Sequence, residues 1–169
     1  LATVPYEGKV GFTFPGVFGV IATAYFAKYG AGREDLMNVT IKSHANSPLN
    51  PKGQFKATIR DLMAAKAASL EKKGKPVPQW QDEKAFLADP AANPVVAWPM
   101  HLYDCCPISD GASCMLLAAE DIARNFTDDP IHIIGIGQGS GRGLHAAPEL
   151  TSFEATRNVL WSRRFVRAS

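Results

Sequence analysis

This sequence of 169 residues lacks any long apolar run. A membrane-spanning helix needs roughly 18 consecutive apolar residues, and the apolar N-terminal stretch is interrupted at Pro5, Lys9 and Pro15. The same stretch lacks the basic start and the small-residue cleavage site of a secretory signal peptide. We therefore expect neither a membrane anchor nor an export signal, and no membrane partner.

An excess of charge of one sign is also missing. Lys and Arg number 18 and Asp and Glu number 16, which leaves a formal net charge of +2. A balance this close to neutral does not favour binding to nucleic acid or to an anionic surface. Hydrophobic residues make up 46% and charged residues 20%, which is typical of a chain that buries a core and excludes wholesale disorder.

Cysteine is scarce and unevenly placed. There are three cysteines, and Cys105 and Cys106 are adjacent. An odd number with one adjacent pair does not suit a disulfide scaffold, so the pattern predicts a reducing, cytoplasmic compartment. A structural zinc site needs two pairs of ligands with a short gap inside each pair. That spacing does not occur in the sequence, so we expect no metal site.

A glycine-rich loop at residues 135–143 follows a predicted strand and must be tested as a nucleotide site. The dinucleotide fingerprint needs glycines at offsets 0, 2 and 5. In the three available registers the last place falls on Ser140, Arg142 or Leu144. The Gly-Lys-Ser/Thr of a phosphate-binding loop is absent too, so the pattern favours a flexible connection over a nucleotide cradle.

Apolar residues recurring at spacings of three and four predict three long helices. They cover Val17–Tyr29, the segment from Arg33 to just before Ser47, and Ile59–Lys73. Gly30 and Gly74 supply the C-terminal stops of the first and third. The proline-rich residues 74–94, with a short helical piece around Glu83–Ala88, predict a surface excursion.

Three short apolar runs predict strands, and their alternation with helices indicates the α/β class. The strands cover Val95–Trp98, Cys114–Ala118 and Ile131–Ile136. A helix over Ala119–Asn125 separates the second from the third, and a last helix begins near Thr151 or Ser152. Three strands make a small sheet for a chain of this length.

The candidate chemistry centres on the paired cysteines. A nucleophilic cysteine needs a histidine partner, and the candidates are His44, His101, His132 and His145. His132 falls inside a predicted apolar strand, which favours a role in the sheet. We interpret the cysteines as buried or pocket-lining residues rather than nucleophiles. Residues 109–111, Ser-Asp-Gly, predict a turn into the next strand, with a wall of a ligand pocket as the alternative.

Three segments resemble the thiolase superfamily, in particular sterol-carrier-protein-type thiolases and acetyl-CoA acetyltransferases. The most specific is Cys105-Cys106-Pro107-Ile108-Ser109-Asp110-Gly111-Ala112. Supporting segments are Lys42 to Phe55, which carries Lys-x-His followed by Asn-Pro, and Phe18-Gly19 through Lys28-Tyr29-Gly30. The resemblance covers most of this chain but only the central portion of a thiolase.

The resemblance implies a partial thiolase-like α/β fold: a helical loop domain together with fragments of two α/β halves. On this map residues 1–94 form the loop-domain-like region. Residues 95–127 end the N-terminal half, and residues 128–169 open the C-terminal half. The map accounts for the shortage of strands and for the helical first half.

The resemblance also implies where the chemistry lies. In the family, the acylated cysteine precedes the loop domain, and the Gly-His-Pro loop and second catalytic cysteine follow the region covered here. No residue of this chain is therefore predicted to be catalytic, and whether the chain is itself an enzyme stays open. Cys105, Cys106 and Ser109 would line the channel that holds the pantetheine arm of coenzyme A.

The implied function is acyl-CoA acyltransferase chemistry, that is, Claisen condensation or its reverse, thiolysis. The CoA thioester is then the substrate, and no cofactor is bound permanently. Two alternatives stay open: a non-catalytic acyl-CoA-binding or interaction module, and part of a thiolase-like steroid side-chain retro-aldolase, whose relatives pair with a small OB-fold partner protein. We also expect a homo-oligomer, because a partial α/β half exposes sheet edges and apolar faces.

Overall fold

The computed structural model describes residues 8–133, 135–143 and 146–161, with side chains described as far as residue 157. Within these ranges the chain forms six α-helices, two 3₁₀ turns and one two-stranded sheet. The helices are α1 (Phe14–Tyr29), α2 (Arg33–Asn46), α3 (Ile59–Lys72), α4 (Glu83–Ala88), α5 (Glu120–Ala123) and α6 (Glu154–Trp161). The strands are β1 (Val95–Ala97) and β2 (Met100–His101), and the 3₁₀ turns cover Ser47–Leu49 and Leu102–Asp104. No helix in the described ranges is long and apolar enough to cross a membrane.

Local signals place the ends of the first three helices where the sequence predicts them, to within a few residues. Helix α1 begins three residues earlier than predicted, because the Thr13 hydroxyl accepts a hydrogen bond from the backbone N–H of Gly16. It ends at Gly30, whose φ of 68° is the left-handed conformation that glycine adopts most readily. Helix α3 begins with a capping box: the Thr58 hydroxyl accepts from the N–H of Asp61, whose carboxylate accepts from the N–H of Thr58.

The hydrophobic core lies where α2, α3 and α4 meet. Its buried side chains come from all three helices and the segment after α4, and they are Met37, Ile59, Phe86, Leu87 and Ala92. Phe86 and Leu87 are fully buried, and the ring of Phe86 contacts those of Trp80 and Tyr103 at centroid distances of 5.1 and 5.7 Å. The prediction of a surface excursion over residues 74–94 is therefore wrong, because α4 supplies the best-buried side chains of the core.

The predicted strand at Val95–Trp98 is present as β1, and it pairs antiparallel with β2. The connection includes a cis Trp98–Pro99 peptide bond. Helix α1 lies against this hairpin at Gly19, where an added Cβ would stand 2.7 Å from the Trp98 carbonyl oxygen. A glycine is required there because any side chain would collide with the hairpin backbone.

The described chain divides into two compact units. One contains the residues up to Pro107 together with Pro148–Thr151, and the other contains Ile108–Ala147 and the residues from Ser152. The core and the hairpin lie in the first unit. The second contains α5, which is shorter than the predicted helix over Ala119–Asn125, and α6, which begins close to the predicted start.

Two of the three predicted strands do not form. Residues 114–118 are irregular, and so are residues 131–133, 135 and 136; Ile134 lies outside the described residues. Their side chains are largely exposed, including Leu116 at 76% and Ile131 at 96%. A strand needs a neighbour for its backbone hydrogen bonds, and β1–β2 is the one sheet among the described residues. His132 is accordingly an exposed loop residue and not the sheet residue that its sequence position predicts.

The described residues thus form mostly helices and one small antiparallel sheet. The sequence had predicted strands that alternate with helices, as in the α/β class. A mixed fold of this kind is compatible with part of a thiolase-like architecture. The finer division into a loop-domain-like region and two half-fragments stays a prediction.

Candidate functional site

The turn that leads into the paired cysteines is held by the carboxylate of Asp104. This side chain is almost fully buried, with 3% exposed. Its Oδ1 accepts a hydrogen bond from the Thr40 hydroxyl at 2.6 Å, and its Oδ2 accepts one from the backbone N–H of His101 at 2.8 Å. Asp104 thereby joins helix α2 to the segment that directly precedes Cys105.

A guanidinium group neutralises this buried carboxylate. Nη1 of Arg33, the first residue of α2, lies 2.8 Å from Oδ2 of Asp104, and the Arg33 side chain is 15% exposed. Among the described residues the buried nitrogens of Arg33 have no aligned hydrogen-bond acceptor, so the contact is ionic rather than a directed hydrogen bond. A buried charge is tolerated when it is paired, and here each partner neutralises the other.

Asn93, which is fully buried, fixes the backbone of the Leu102–Asp104 turn and of the segments that pack against it. Its side-chain amide donates to the carbonyl of Leu87 at 2.9 Å and accepts from the backbone N–H of Tyr103 at 3.0 Å. Its own carbonyl lies 2.7 Å from Nδ1 of His101. Asn93 therefore connects α4, the hairpin and the Leu102–Asp104 turn.

Two of the four candidate histidines are packing residues of the first unit. His101 is buried, and its Nδ1 must carry the proton because the Asn93 carbonyl can only accept. His44 is also buried, with its ring stacked 5.0 Å from that of Phe55. His132 is exposed, and His145 lies outside the described residues. The described residues show no hydrogen bond between an imidazole and a thiol, so this part of the chain forms no Cys–His nucleophile.

The two adjacent cysteines differ in environment. Cys105 is half-buried, and its thiol donates to the carbonyl oxygen of His101 at 3.3 Å. Burial raises the pKa of this thiol, and the charge of Asp104 and the neighbouring Cys106 raise it further. Cys105 is therefore a neutral thiol at physiological pH, which disfavours a role as nucleophile. Cys106 is exposed immediately after it.

The third predicted channel residue, Ser109, lies at the start of the second unit and is exposed. It belongs to an irregular stretch, and the turn expected at Ser-Asp-Gly does not form. The first unit therefore brings together Cys105 and Cys106, on a turn that Asp104 holds in place.

Sequence reasoning missed the three residues that hold this turn: Arg33, Thr40 and Asn93. Arg33 did carry a signal, because a cation in the first turn of a helix opposes the helix dipole and so asks for another reason to be there. Asn93 precedes a proline and falls in the segment that the sequence predicts to be a surface excursion. Its burial depends on contacts that are distant in sequence.

Comparison with known proteins gives several related sequences, although no family model and no solved structure matches the chain. An acetyl-CoA acetyltransferase of Methanothermobacter thermautotrophicus is 31% identical over 157 residues, which cover 91% of this chain and 34% of that protein. This match and the two that follow support a place in the thiolase family. A steroid side-chain-cleaving aldolase of Thermomonospora curvata is 27% identical over 75% of this chain and 26% of its own length. A benzoylsuccinyl-CoA thiolase subunit of Thauera aromatica is 25% identical over 88% of this chain and 32% of its own length.

This chain therefore spans about a third of the length of the thiolase-type relatives that it matches. The names of these two relatives connect them with CoA thioesters. They do not distinguish the sterol-carrier-protein type from other members of the family.

Proposed function

We propose that this chain is the central portion of a sterol-carrier-protein-type member of the thiolase family, which acts on acyl-CoA thioesters by Claisen condensation or thiolysis. The proposal is supported by the 31% identity to an acetyl-CoA acetyltransferase over nine tenths of the chain. In the proposal the catalytic cysteines belong to other parts of the enzyme, and this segment contributes to CoA binding.

The observation that carries the binding role is the buried Arg33–Asp104 pair directly before the paired cysteines. Because Asp104 also accepts hydrogen bonds from Thr40 and from the backbone of His101, three contacts hold the turn, two of them from α2. A wall that contacts a flexible pantetheine arm must keep its shape without the ligand, since ordering a loop on binding costs affinity. We propose that Cys105 and Cys106 form such a wall; the part of Ser109, which belongs to the second unit, stays what the resemblance implies.

A second candidate is favoured by the similarity to the steroid side-chain-cleaving aldolase. In that case the chain belongs to a retro-aldolase that cleaves a steroid side chain attached to CoA and works with a small OB-fold partner protein. Both candidates require the CoA channel, so a test of CoA binding examines what they share.

The test is protection of Cys106 from alkylation. The 169-residue chain is treated with N-ethylmaleimide in the presence and absence of acetyl-CoA, and the rate at each cysteine is measured by mass spectrometry. With ligand at ten times its dissociation constant, the rate at Cys106 should fall about tenfold. The exposed Cys114, which the proposal does not place in the channel, is the internal control.

Protection at Cys106 with an unchanged rate at Cys114 supports the proposed function. Equal rates with and without acetyl-CoA at both cysteines would contradict it. Protection by acetyl-CoA but none by 3′-phospho-ADP, the nucleotide half of CoA that lacks the pantetheine arm, would assign the effect to the arm itself.

A further inference from the structure

We draw no further inference here: the strongest candidate, an anion site between the glycine-rich loop of residues 135–143 and the N-terminus of α6, where Gly141 lies against Ala155, carries nothing because the described residues of that loop and helix contribute no buried polar side chain to it and Glu154 places a negative charge in the first turn of the helix.

Discussion

The buried ion pair between Arg33 and Asp104 offers the sharpest test of how the cysteine turn is held. Replacing Asp104 by asparagine keeps the size and shape of the side chain but removes its charge. The amide oxygen can still accept from the Thr40 hydroxyl or from the backbone N–H of His101. What is lost is the neutralisation of Arg33, whose guanidinium would remain in a site where its side chain is only 15% exposed.

The expected cost follows from that burial. Removing one partner of a buried pair leaves an uncompensated charge and destabilises by about 3–5 kcal/mol. Adding Arg33→Met to Asp104→Asn removes the stranded charge, so the double variant should recover most of the loss. The matched surface control is Arg60→Gln. Arg60 pairs with Glu83 at 3.0 Å but is 74% exposed, and an exposed pair is worth no more than about 1 kcal/mol.

Urea denaturation followed by circular dichroism, with linear extrapolation to water, gives the free energy of unfolding of each variant. We expect the free energy of unfolding of Asp104→Asn to lie far below that of the double variant. The free energy of unfolding of Arg60→Gln should be close to that of the native chain. If Asp104→Asn and Arg60→Gln proved equally mild, the Asp104 carboxylate would not be holding the turn. A double variant no more stable than Asp104→Asn alone would show that the loss has another cause.

Three further predictions concern individual groups. Hydrogen bonds from Thr151, then the contact with Lys28, lower the pKa of Glu149 from 4.5 to about 2. Because the pKa is lower in the folded than in the unfolded chain, these interactions stabilise the fold above pH 4.5. Their contribution is lost as the pH falls through about 2. An NMR titration should show that low midpoint, with Thr151→Val raising it more than Lys28→Met, and a midpoint near 4.5 in the native chain would refute the contact. Because burial and then Asp104 raise the pKa of Cys105, iodoacetamide should alkylate Cys105 more slowly than Cys106 at pH 8, and equal rates would contradict the assigned environments. The 169-residue chain alone should show no thiolysis of acetoacetyl-CoA, and measurable turnover would disprove the assignment of the catalytic groups to other segments.

The helices could be predicted from the sequence because their signals are local. Gly30 and Gly74 adopt positive φ where the sequence predicts helix ends. Phe86 and Leu87 show where local signals stop being sufficient, since their short helix between prolines resembles a surface loop. Their burial arises from contacts with residues such as Met37 and Ile59, which are distant in the sequence. The predicted strands at 114–118 and 131–136 fail for the opposite reason: each has the apolar character of a strand but no neighbour to pair with among the described residues.

The candidate site likewise has features that the sequence predicts locally and features that depend on distant contacts. The paired cysteines and the motif around them are visible in the sequence, and so is the resemblance that suggests a CoA channel. Arg33 and Thr40 are 71 and 64 positions away from Asp104, and no spacing rule connects them. A charge buried in this way becomes apparent only when the packing of α2 against the turn is known.

The central claim, that Cys106 lies in a channel for the pantetheine arm of CoA, is tested most directly by thiol–disulfide exchange with CoA disulfide. The thiol end of the arm would then be delivered to the cysteine beside it, and mass spectrometry gives the rates of mixed-disulfide formation at Cys106 and Cys114. Glutathione disulfide is the reference reagent, because it carries a similar leaving group without the CoA framework. We expect the ratio of the rate at Cys106 to the rate at Cys114 to be about tenfold higher with CoA disulfide than with glutathione disulfide, because the channel raises the effective concentration of the arm at Cys106. The same ratio with both reagents would contradict it.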